Sequence, residues 1–246
     1  MSIPQPFDVA QGKPFDVAQG KKLIFDIETV GVDFETLDKI SQDYIKKYAE
    51  SDEDLSEAKD RLSFSPLTGE IIAVGVLNPE TNKGAIYLKT SDKLPEEIEK
   101  GIGLSGGTEK EILEKFWETA AHYTQFITFN GRTFDAPYIL IRSAILDVKP
   151  TKNLMANRYL ANQPWSAVHI DLLDQLIFYG AVRKKFNLHF WSKAFGITSP
   201  KEEGITGDDI GRLYKEKKIL EIAKYNLGDL LATKALYEKW QKYLSF

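Results

Sequence analysis

The chain has 246 residues, 43% of them hydrophobic and 28% charged, with a net charge of -4. That composition supports one sizeable globular core, and the acidic balance excludes the broad basic field of a non-specific DNA-packaging protein while leaving room for a local basic groove. Zero cysteines remove disulfides, thiolate catalysis and cysteine-based zinc sites, and three scattered histidines make no imidazole-rich centre, so any metal must be held mainly by oxygen.

Residues 6–13 and 14–21 both read PFDVAQGK, a tandem copy too short to build a repeat architecture. A loosely ordered or disordered tail over 1–20 is expected, followed by a single folded domain over 21–246. No run of about 18 apolar residues occurs, and the N-terminus lacks a basic-then-apolar signal pattern, which points to a soluble cytoplasmic protein. LIFDIET (Leu23–Thr29) reads as a strand. The segment from Gly31 to Pro66 carries ten acids, with Leu37, Ile40, Tyr44, Ile45 and Tyr48 at helical spacing, and predicts a helical insertion over 33–66, a cap packed on the sheet edge before a lid on the active site. GEIIAVGV (Gly69–Val76) and GAIYLK (Gly84–Lys89), joined through the Asn78-Pro79 turn signal, complete an antiparallel meander.

Gly101, Gly103 and Gly106 match a dinucleotide fingerprint literally, yet they follow the charged, helical-looking KLPEEIEK and not a strand, so they read as a flexible loop. Thr108 and Glu111 form a capping-box pattern ahead of an amphipathic helix ending near Tyr123. A strand at Phe126–Phe129, a helix from about Ala136 to Leu146, a short strand at Val168–Leu173 and helices from Asp174 onward follow. This order suggests a mixed sheet flanked by helices.

The chemistry is carried by acids. Asp26 and Glu28 lie two apart on the first strand, so both carboxylates leave the same face, and an apolar setting penalises that charge unless a cation compensates, a proton is taken up or the strand end reaches solvent at Asp26. Asp135 follows the tight turn Asn130-Gly131, where an ordinary N-cap role would explain it. Tyr225 and Asp229 stack at i and i+4 on a C-terminal helix, where a surface hydrogen bond would explain them. Gly228 beside Asp229 weakens that helix by about 1 kcal/mol relative to Ala, as a close backbone approach or a tolerated packing glycine would both allow. His169 and Asp171 in HIDLLD read as a structural hydrogen-bonding pair.

Taken together, FDIETV, ITFNGRTFDAPYILIRS, HIDLLD and YNLGDLLAT resemble the DEDD superfamily of 3′-5′ exonucleases, over roughly Leu23 to Trp240. The tyrosine subclass fits, because Lys224 stands where the histidine subclass has its histidine. Within that subclass the motifs look like those of stand-alone prokaryotic exonucleases related to the proofreading domain of family B DNA polymerases. The acidic insertion and the duplicated tail have no counterpart in that pattern.

The resemblance implies an α/β ribonuclease H-like fold with a five-stranded mixed sheet, order 3-2-1-4-5. It also implies a phosphodiester hydrolase that uses two divalent ions, Mg²⁺ or Mn²⁺. Asp26, Glu28 and Asp229 would hold one ion, Asp26 the second, and Asp135 would help through water, while Tyr225 orients the nucleophile. The implied partner is a nucleic acid with a free 3′ end, DNA before RNA, with Thr29 and Asn130 at the terminal nucleotide and Phe134 placed to stack on a base or to serve as core. Arg183, Lys184 and Lys185, interleaved with Phe186, Phe190 and Trp191, would track a phosphate backbone. An RNA-directed exonuclease, an internal cutter of the same fold and a non-catalytic nucleic-acid-binding module are the rival expectations.

Overall fold

The computed structural model describes residues 7–8, 13–14, 22–47, 49, 51–198 and 204–245. The expected tail lies outside the described residues, apart from two antiparallel strand pieces, Phe7–Asp8 and Lys13–Pro14.

The main sheet holds seven strands: β1 (Lys22–Gly31), β2 (Gly69–Leu77), β3 (Gly84–Lys89), β4 (Glu97–Glu99), β5 (Ile102–Gly107), β6 (Gln125–Thr128) and β7 (Val168–Asp171). Their order is β4-β5-β3-β2-β1-β6-β7, so the meander and the two parallel strands beyond β1 keep the 3-2-1-4-5 arrangement. The count corrects the expected five. The glycine-rich segment read as a loop is β5, parallel to β3, and part of KLPEEIEK read as helix is β4. Ile102 and Leu104 alternate with Gly103 and are buried, with Ile98 packed beside them, so burial of these apolar side chains outweighs glycine's poor strand propensity. Gly101, at φ +87°, makes the reversal between the two strands.

Helices cover both faces. α3 (Glu109–Ala121) and α4 (Asp135–Ile145) pack through Ile112, Phe116, Trp117, Tyr138 and Ile139 against Leu23, Phe25, Ile27, Ile71, Val74 and Val76. On the other face α5 (Leu172–Leu176), α7 (Ile210–Lys215) and α8 (Ile219–Tyr243) meet Ile24, Val30, Ile72, Ala73 and Leu77, with α6 (Leu188–Ala194) at the margin. The segment between β1 and β2 carries α1 (Lys39–Lys46) and α2 (Asp52–Asp60), neither with a buried residue. It is anchored instead by the buried Phe34 and Leu62. Among the described residues no helix is long and apolar enough to cross a membrane.

Candidate active site

Alternation along β1 decides where its acids go. Leu23, Phe25 and Ile27 enter the α3/α4 core, so Asp26 and Glu28 face α8. A β-bulge follows: Glu28 pairs with Ala73 but Thr29 with Ile71, and the extra residue Ile72 joins Ala73 in the α8-side cluster. The Ile71 N–H donates to Glu109 Oε1 at 2.8 Å, and Glu109 is fixed in turn by a buried Arg142 fork.

β6 pairs with β1 only as far as Ile24, and beyond it the Ile27 N–H donates to Asp135 Oδ1 at 3.0 Å. Asp135 is therefore not an N-cap. Phe134 holds that position without a side-chain cap, and the Asp135 carboxylate, 4% exposed, reaches from the first turn of α4 to the sheet. The preceding turn needs its residues. Asn130 sits at φ +64°, a region that asparagine tolerates, and a Cβ on Gly131 would lie 2.3 Å from Thr128 Oγ1. Asp171 clamps this turn by accepting from the Asn130 and Arg132 N–H groups at 2.9 Å each while capping α5 through Leu173 N–H. His169 stands behind it, its Nδ1–H donating to Leu154 O and its Nε2 accepting from Thr128. Burial holds that imidazole down to about 4, so it is neutral and structural.

α8 supplies the remaining groups. Asp229 offers a carboxylate oxygen that, with one each from Asp26 and Glu28, lies in a set whose members are all within 4.8 Å of one another. Tyr225, one turn earlier, is buried against these acids. Between them in sequence, Asn226 is completely buried, and its Nδ2–H donates to Asp26 Oδ2 at 2.9 Å and Glu28 Oε1 at 3.5 Å. Sequence reasoning missed Asn226. Its signal was an amide at i+4 from Ile222 and i−4 from Leu230, on the apolar stripe of the helix. Gly75, paired with Asp26 on β2, makes the room: a Cβ there would fall 1.9 Å from Asn226 Oδ1 and 2.7 Å from Leu230 Cδ1.

The electrostatics are those of crowded anions. Burial, then the charges of Asp135, Asp229 and Glu28, pushes Asp26 well above the usual carboxylate range, with the Asn226 hydrogen bond pulling the other way. Burial and Asp229 do the same to Glu28. Burial raises Asp135 to about 7 against the pull of the Ile27 N–H. Burial, then Asp229, Glu28 and Asp26, pushes the Tyr225 phenol far above its ordinary value, so it stays protonated.

The other residues singled out in the sequence lie around this centre in different ways. The Thr29 hydroxyl donates to Ser63 O at 2.9 Å, on the opposite face from Asp26 and Glu28. The Asn130 side chain accepts from Thr133 Oγ1 at 2.7 Å. Phe134 is half-buried against Tyr138 and Phe64. Arg183, Lys184 and Lys185 are exposed on the loop before α6, where Lys184 Nζ lies 4.8 Å over the Phe186 ring and Phe186 stacks on Phe190. Gly228 lines an open cleft with Ile98, Glu99 and Ile205.

A family described as "Predicted 3'-5' exonuclease related to the exonuclease domain of PolB" matches residues 71–245. The chain belongs to this family. The matched span begins in β2, so the Asp26 and Glu28 carboxylates lie outside it, and the fold carries them to α8. The chain is 29% identical to the DNA polymerase of Desulfurococcus sp. (strain Tok), over 52% of its own length and 18% of that protein. It is also 29% identical to DNA polymerase 1 of Sulfolobus acidocaldarius, over 46% and 13% respectively. Its fold is similar to the family B DNA polymerase from the hyperthermophilic archaeon Pyrobaculum calidifontis, with a TM-score of 0.58 at 15% identity, covering 94% of this chain and 25% of that one. The chain thus spans less than a fifth of the polymerases it matches in sequence.

Proposed function

We propose that this chain is a two-metal-ion 3′-5′ exonuclease that removes nucleoside 5′-monophosphates from the 3′ end of DNA, favouring single-stranded or frayed ends. The observation that carries this reading is the convergence of Asp26, Glu28 and Asp229 from opposite ends of the chain. The donor set suits divalent ions because all ligands are hard carboxylate oxygens, and their spread of up to 4.8 Å would close slightly around Mg²⁺, whose ligand oxygens lie within about 4 Å of each other. Asp26, Glu28 and Asp229 would hold one ion, Asp26 would share a second, and Asp135 would act through water. Bound ions would supply Lewis acidity to the attacking water and charge for the departing 3′-oxygen.

The chain's own groups do the rest. Tyr225, kept as a phenol, orients the water by hydrogen bonding and does not take its proton. Asp135, tied to the Ile27 N–H, holds α4 and its turn against the reacting end. Asn130 and Phe134 border the terminal nucleotide, whereas Thr29, turned to Ser63 on the far face of β1, supports the strand from behind, and the exposed Arg183, Lys184, Lys185 and Phe186 loop offers cations and a ring to a strand. DNA is favoured because the sequence relatives are DNA polymerases.

The test is digestion of a 5′-labelled single strand with Mg²⁺ or Mn²⁺. The expected outcome is a ladder shortening one nucleotide at a time, absent with chelator and in Asp229→Asn, with closed circles left intact. Unchanged laddering in Asp229→Asn, or cleavage of circles, overturns the reading. An equivalent RNA strand run in parallel reports the sugar preference.

A further inference from the structure

We propose that Asn226 is a positioning residue for the metal centre: its amide holds the Asp26 and Glu28 carboxylates in the spacing from which they bind a cation. This rests on the site reading above. The two acids sit on one strand and would splay apart if left as bare like charges, because both are in a poorly solvated setting. The Asn226 Nδ2 group spans them, with one hydrogen bond of 2.9 Å to Asp26 and a longer one of 3.5 Å to Glu28.

The orientation of the amide follows from its surroundings. Turned over, it would aim an oxygen at two carboxylates. In the observed sense the buried Oδ1 has no hydrogen-bond donor among the described residues and faces the Cα–H of Gly75, a weak contact open only to glycine. Leaving a buried carbonyl oxygen unpaired is costly, and a packing role alone would be served by leucine or alanine. The fold thus bears that cost, keeps a glycine in the middle of β2, and gains two N–H groups aimed at the carboxylates. Asp26 and Glu28 reach the same helix that brings Asp229, so the amide sets the distance between the β1 acids and the α8 acid as well.

Groups of this kind around metal ligands typically change metal affinity or activity by about 10- to 100-fold when removed. The experiment is calorimetric titration of Mn²⁺ into the full chain, with circular dichroism to check folding, for wild type, Asn226→Ala, Asn226→Asp and Asp26→Asn. Asn226→Ala is expected to fold and to bind Mn²⁺ at least about tenfold more weakly. Asn226→Asp keeps the shape but replaces the donor with a further anion beside Asp26, Glu28 and Asp229, so in chelator it should melt below wild type and recover when Mn²⁺ is added. A folded Asn226→Ala with wild-type Mn²⁺ affinity overturns the proposal. Should that variant not fold, equal melting of Asn226→Asp and wild type in chelator overturns it. Wild-type protein that binds no Mn²⁺, or Asp26→Asn that binds it normally, would instead sink the site reading itself.

Discussion

At the scale of single residues, the centre is a set of acids that are uncomfortable without a counter-charge. A carboxyl whose pKa is higher in the fold than in the unfolded chain binds its proton more tightly when folded. Its folded form is therefore favoured at low pH, and stability is lost as pH rises from about 4 through the folded value. For Asp135 that value is about 7. In chelator, Asp135→Asn is accordingly expected to melt several degrees above wild type at pH 8, since asparagine still accepts the Ile27 N–H, with the advantage fading toward pH 5. Thermal melts across that range check it. Tyr225→Phe tests the other titratable member. With the phenol protonated throughout, its loss should lower kcat by about ten- to a hundredfold, leave KM nearly unchanged and leave the shape of the pH–rate profile up to pH 9 as in wild type. Loss of an alkaline rise would mean that the phenol acts as a base.

At the scale of elements, the site is a junction of β1, α4 and α8, and its tolerances are set by the gap between β2 and α8. Gly75→Ala places a methyl 1.9 Å from Asn226 Oδ1 and 2.7 Å from Leu230 Cδ1, so α8 must shift or Asn226 must turn away. A loss of about 1–3 kcal/mol is expected in urea unfolding, with weaker Mn²⁺ binding beside it. A variant as stable as wild type would show that α8 is free to move. Legibility also divides by element. β1, β2 and β3 could be read as short apolar, β-rich runs because helices cover both faces of the sheet and bury nearly every residue, and α3 from its period and capping box because it buries one face. β4 and β5 could not, because local glycine and charge content argue for a loop and only pairing with β3 makes them strands. The common facing of Asp26 and Glu28 followed from strand alternation, whereas the Asn226 bridge depends on how α8 lies across the sheet, which no local pattern states.

At the scale of the whole molecule, Asp26 and Asp229 lie in the two outer portions of the domain, and a cation between them would join β1 to α8. Metal should therefore act as a fastening for the entire fold. Mn²⁺ at a hundredfold excess over its Kd is expected to stabilise the protein by about 2.7 kcal/mol, seen as a rise in Tm, and to do nothing for Asp26→Asn. A variant that still responds would place the ion elsewhere.

The 200-residue separation between Asp26 and Asn226 has a consequence in time as well as in space. During synthesis β1 emerges early and waits, its acids without the helix that faces them, until nearly the whole domain has been made. The carboxylate set is therefore incomplete through most of synthesis, and the site comes into being only when α8 has packed over the sheet.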